Sequence, residues 1–193
     1  RFDGKDDFLH LAGVPLWGQD FSLFVVASDR GTNVKHREII SNWHRRGRST
    51  TSFFFGLTGK SSVRLSDAFV PAGSVKIPAS PFILSGFNSK QGAFTYQGRT
   101  LLASAGPLSK RDVAGPYVIG VQGNYGTEYW NGDIAELILF TRALSETERE
   151  AVWNYLANRY QLKLEAQPDA PQHLALASLC HVLMNTNEFL YID

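Results

Sequence analysis

Apolar residues fall in short runs broken by Gly, Pro, Asn and Ser along most of the chain. Phe8 to Leu11, Phe21 to Ser28, Glu38 to Trp43, Ser52 to Leu57, Ser62 to Leu65, Phe82 to Phe87, Ala93 to Tyr96, Thr100 to Ala103 and Tyr117 to Val121 read as strands. Asp29 to Asn33 reads as a turn, and Thr58-Gly59-Lys60 and Gln97-Gly98 as hairpin connections. Residues 67 to 80 contain Pro71, Gly73 and Pro78 and suit a loop crossing between sheets. The pattern is organised around Tyr129 to Tyr160. Asn131-Gly132 reads as a turn signal, and the uninterrupted Ile134 to Phe140 as a strand buried on both faces. The period then changes. Ser145 with Glu148 three positions on forms a capping box, in which each side chain satisfies an orphan backbone N–H. Val152, Tyr155, Leu156 and Arg159 follow at helical spacing, so a helix should lie with one stripe against the β-structure. Arg149 stands where a hydrophobic staple would place an apolar residue.

The pattern alters after Leu164. Glu165 to Gln172 contains two Pro and reads as a linker. Leu174 to Met184 reads as a helix with apolar residues on more than one face, which expects burial, and Phe189, Leu190 and Tyr191 follow it. The domain reading is a sandwich over residues 1–163 and a linker plus helical tail over 164–193.

Composition supports an all-β class: 12% of residues are aromatic, 13 of them Phe, and Gly is frequent at 17. A chain of 193 residues can bury a full core in one domain. The formal net charge is +1, so no global field favours nucleic acid or a membrane surface. Cys180 is the only cysteine, which excludes an intrachain disulfide and leaves the redox compartment open. No apolar run is long enough to span a bilayer as a helix. The only Met is Met184, so the chain reads as a fragment or a processed product.

The segment GDIAELILFTRALSETEREAVWNYLANRYQL resembles the closing segment of laminin-G-like, concanavalin A-like jelly-roll domains. FDGKDDFLHL followed by FSLFVVAS is similar to their opening segment, so the resemblance runs over about residues 1–163. It implies an antiparallel two-sheet jelly-roll sandwich with one helix after the last core strand. The ending ASLCHVLMNTNEFLYID resembles the C-terminus of a domain in large planctomycete proteins that also carry c-type cytochrome domains. That resemblance implies a multidomain, extracytoplasmic parent.

The same superfamily houses retaining glucanases with a strand motif similar to E-x-D-x-x-E. Here the nucleophile position is Asn131, and an amide cannot form the glycosyl-enzyme ester. Strand alternation also places Asn131 and Asp133 on one face and Glu136 on the other, unless a bulge intervenes. No enzyme is therefore expected, and Asn131→Glu should not create glucanase activity. Gly59-Lys60-Ser61 lacks the first Gly of a phosphate loop, since Phe54 stands there, and reads as a hairpin turn. Cys180-His181 lacks the earlier Cys of a haem-attachment motif, because Ala177 occupies that position, so no haem is expected. The basic run His44-Arg45-Arg46-Gly47-Arg48 reads as a solvated loop, and nucleic acid is not an expected partner.

The expected function is a non-catalytic binding module for a glycan or a protein partner. Its candidate ligand residues are Trp43, Asn124, Tyr125, Tyr129 and Trp130, aromatics for stacking on sugar faces and amides for their hydroxyls. The alternatives are a structural spacer between domains of its parent and a degenerate glycosidase. The laminin-G-like resemblance implies a Ca²⁺ ion. Asp3, Asp133 and Glu136 are the carboxylates nearest the matching segments, and carboxylate oxygens are what this ion takes.

Overall fold

The computed structural model describes residues 1–12, 18–31, 35–42, 52–66, 68–76, 79–111, 113, 115–122, 127–164 and 189–192, with side chains outside 68–74 and 189–192. In chain order the strands are β1 (Phe2–Asp3), β2 (Leu9–Leu11), β3 (Phe21–Asp29), β4 (His36–Ser41), β5 (Phe54–Thr58), β6 (Ser62–Leu65), β7 (Ala68–Ser74), β8 (Phe82–Ser89), β9 (Gly92–Gln97), β10 (Thr100–Ala105), β11 (Tyr117–Ile119) and β12 (Asn131–Phe140). The helix α1 (Glu146–Tyr160) and the strand β13 (Phe189–Ile192) follow.

They form two antiparallel sheets. One runs β1-β12-β3-β8-β9-β10, with β13 also on β12; the other runs β2-β11-β4-β5-β6-β7. Alternation along β3 explains the layering. Leu23, Val25 and Ala27 point into the inter-sheet core with Phe53, Phe55, Leu57 and Leu137. Phe24 and Val26 point the other way, to a second core with Ile138 of β12 and Val152, Trp153 and Leu156 of α1. Strands β3 and β12 are covered on both faces, as the apolar run in Ile134 to Phe140 predicts.

The helix starts as its sequence dictates. The Ser145 hydroxyl accepts the Glu148 N–H, and the Glu148 carboxylate accepts the Ser145 N–H. Its buried face is Glu150, Ala151, Val152, Trp153, Leu156 and Ala157, so it is turned toward Trp153 relative to the expected stripe through Tyr155 and Arg159. The Trp153 indole N–H donates to the Ser85 hydroxyl at 2.8 Å, tying helix to sheet.

Three sequence expectations need correction. Residues 68–74 are a strand and not a loop; β7 is the outer strand of its sheet, where a Pro such as Pro71 removes no needed ladder bond. Asn131-Gly132 is not a turn but the start of β12, paired with β1 and β3. A Cβ at Gly132 would lie 1.9 Å from the Ser28 carbonyl oxygen, so close strand approach requires this glycine. Finally, β12 carries a bulge at Ala135, between the pairs Ile134–Ala27 and Glu136–Val26. The expected tail helix from Leu174 to Met184 lies outside the described residues; Phe189–Ile192 pair with Leu137–Phe140.

Candidate functional site

The bulge decides where the motif carboxylates go. It resets the alternation, so Asn131, Asp133 and Glu136 all project from the outer face of the seven-stranded sheet. The expected separation of Glu136 from the other two is therefore overturned. Glu136 nevertheless remains out of reach of solvent: it is buried beneath α1, with Arg159 Nε at 3.4 Å. Burial and the Glu136 carboxylate push the neighbouring Tyr160 phenol up to about 12. Asp133 is engaged by Arg1 at 3.2 Å and Arg30 at 3.6 Å. Against the effect of burial, these arginines and the Ser28 hydroxyl hold its carboxyl below the ordinary range.

The metal candidates Asp3, Asp133 and Glu136 are not drawn into one cluster. Asp3 instead groups with Asp6 and Asp7, all exposed, with one carboxylate oxygen from each within 4.8 Å of the others. Local hydrogen bonds already shape this loop: Asp3 Oδ1 accepts the Lys5 N–H, and Asp7 Oδ2 accepts the Asp3 N–H. Of the ligand candidates, Trp130 is fully buried in the inter-sheet core, and Tyr129 is partly buried. Trp43, Asn124 and Tyr125 lie outside the described residues, as do the basic run and Cys180-His181.

A polar constellation that sequence reading missed stands on the outer face of the six-stranded sheet. Phe55, Leu57, Val63 and Leu65 point inward, so Phe54, Gly56 and Arg64 point outward. Across the ladder, Glu38 faces Gly56 and His36 faces Thr58. A Cβ at Gly56 would lie 2.6 Å from Glu38 Oε2 and 2.1 Å from the Arg37 carbonyl oxygen, so the missing side chain gives the carboxyl its room. Arg64 stacks on the Phe54 ring at 4.6 Å and donates from Nη1 to Glu38 Oε1. The same nitrogen is 3.7 Å from Glu128 Oε2, and His36 Nδ1 lies 3.1 Å from Glu128 Oε1. The Glu38 N–H donates to the Glu128 carbonyl oxygen, fixing the Glu128 segment along β4.

The floor of this site is dry and its rim is wet. Glu38 and Arg64 side chains are 0% and 3% exposed, whereas His36 and Glu128 are 17% and 19% exposed. Burial pushes the Glu38 carboxyl up to about 8; Arg64 opposes this and Glu128 reinforces it. Burial and then Arg64 lower His36, partly offset by Glu128. The site thus sets a buried acid that holds its proton tightly beside a guanidinium, an imidazole and a second carboxyl group. That set can donate to and accept from hydroxyl-rich ligands.

A different cleft, of about 510 Å³, opens against β8 to β10. It is lined by Phe82, Ile83, Leu102, Leu162 and Leu164, with Lys76, Gln97, Thr100 and Lys163 among the polar residues.

Comparison with solved structures fits this architecture. A native heptameric SAP-like pentraxin from Limulus polyphemus matches with a TM-score of 0.59 at 13% identity, covering 79% of this chain and 79% of its own. The chain is a jelly-roll sandwich. The CBM40 of the Ruminococcus gnavus IT-sialidase, bound to alpha2,3 sialyllactose, matches with a TM-score of 0.55 at 14% identity, over 71% of this jelly roll and 83% of that module. The NanB sialidase of Streptococcus pneumoniae matches with a TM-score of 0.58 at 15% identity; the match covers 77% of this chain but only 26% of the sialidase. No protein-family model and no curated protein matches the sequence. Among the described residues, no helix is long and apolar enough to cross a membrane.

Proposed function

We propose that this jelly roll is a non-catalytic recognition module whose ligand is a glycan or glycoconjugate, held at the outer face of the six-stranded sheet. The observation that carries the reading is the ordered polar site there, with a rigid Arg64–Glu38 floor and His36 and Glu128 at a solvent-accessible rim. The fold shared with a sialyllactose-bound module supports it. Glu38 is wholly buried, out of reach of a glycosidic oxygen, which favours binding over hydrolysis. The planctomycete-like ending extends the proposal to a multidomain, extracytoplasmic parent. A Ca²⁺ ion at Asp3, with Asp6 and Asp7, belongs to the same reading.

A glycan-array screen of the full chain, with Ca²⁺ and with EDTA, tests it. Binding to a defined glycan class is expected, with loss in His36→Ala and Glu128→Gln at unchanged melting temperature. Silence on the array in both conditions would remove the glycan reading. The spacer reading would then stand, and the burial of Trp130 and Phe54, which leaves neither ring to stack on a sugar, favours it.

A further inference from the structure

We propose that Glu38 and Glu128 share one proton, and that this proton holds Glu128 as the ligand-facing acceptor of the outer-face site. The second half rests on the binding function proposed above; the first does not. Arg64 Nη1 donates to Glu38 Oε1, and His36 Nδ1 meets Glu128 Oε1. Among the described residues this leaves Glu38 Oε2 and Glu128 Oε2 as two buried oxygens without a hydrogen-bond donor. Both carboxyls flank the same Arg64 nitrogen, which donates to Glu38 Oε1 and lies 3.7 Å from Glu128 Oε2. Two ionised carboxylates so placed repel, and a single guanidinium does not neutralise both over a floor closed to water. One proton turns the repulsion into a charge-assisted O–H···O bond.

The surroundings leave few other sources of charge. Among the described residues, Arg64 faces the pair from β6, and His36 and, beyond it, Lys35 from the start of β4. Gly56 beneath the carboxyl offers no side chain. The raised affinity of Glu38 for its proton agrees with this arrangement. When the proton leaves to bulk water, Glu128 loses one of its two anchors. Its carboxylate then turns toward solvent, and the rim loses the geometry that a ligand needs.

Carboxyl-carbon NMR of the full chain labelled at Glu, titrated from acid to alkaline pH, tests the shared proton without any ligand. The pair should titrate in two coupled steps, the upper one near about 8. Glu38→Gln should abolish the upper step, and Glu128→Gln should move it down by removing the opposing charge. If both carboxyls of the unaltered chain titrate in the ordinary range, the proposal is wrong, whether or not either variant folds. Glu38→Gln also supplies a permanent N–H donor toward Glu128. For a glycan found on the array, unaltered protein should weaken by about tenfold across the upper step, while Glu38→Gln should hold a constant affinity. Equal pH dependence in both would discard the positioning role and leave the proton. An array without a hit would discard the ligand and leave the titration to decide the pair.

Discussion

Asp29 and Arg37 form an ion pair at 2.5 Å with side chains 0% and 1% exposed, joining the end of β3 to the start of β4. Taking two charges out of water is costly, and removing one of them leaves the other buried and uncompensated. Asp29→Asn should therefore destabilise the fold by about 3–5 kcal/mol, because the guanidinium stays buried without its counter-charge. Urea unfolding would measure it, and a loss below about 1 kcal/mol would mean that Arg37 finds another acceptor. Neither this pair nor the Glu38 site was legible in the sequence. Asp29 reads as a turn residue and Glu38 as the first residue of a strand, with Arg37 outside it. Their partners are remote in sequence: Arg64 lies 26 positions from Glu38, and only sheet register brings it there. The candidate residues that sequence reading selected were chosen by type, and type does not separate a buried Trp130 from an exposed one.

At the level of elements the sequence was far more informative, because periodicity and capping are local. Most strand centres and the whole of α1 follow from the alternation and from Ser145. What failed were features set by neighbours: β7 despite its Pro, and the bulge at Ala135. The helix N-terminus supports a pH prediction. Arg142, aided by the Ser145 N–H and set against burial, holds the Glu148 carboxyl down at about 2. A depressed carboxyl gives stability that is present above its unfolded value near 4.5 and is lost as pH falls through about 2. Glu148→Gln should flatten this acid limb of the melting-temperature profile, and an unchanged limb would assign it elsewhere. The opposite face of the helix predicts a larger effect. Trp153→Ala empties the aromatic cluster with Phe24, Phe87 and Tyr96 and frees the Ser85 hydroxyl, so it should cost about 3–5 kcal/mol in chemical denaturation. A cost near 1 kcal/mol would show the helix to be a loosely held cover.

For the whole molecule, an ion that binds only the folded state raises the melting temperature by mass action. Millimolar Ca²⁺ should therefore shift the transition upward relative to EDTA, and Asp3→Asn should reduce the shift. No shift would leave the Asp3, Asp6 and Asp7 loop as a set of local turns. The sheet order has a consequence for how the chain is made. Strand β3 lies between β8 and β12, and among the described residues β1 pairs with β12 alone. A ribosome that has released Asp29 must add another 111 residues before Phe140 is available. At about 5–20 residues per second this is a wait of roughly 5–20 s, in which one edge of β3 has no neighbour and β1 has nothing to join. The nascent chain therefore carries the fully buried strand β3 half-finished over that interval. It is in that interval that a chaperone would matter most, and chains arrested before Asn131 should be cut readily by protease.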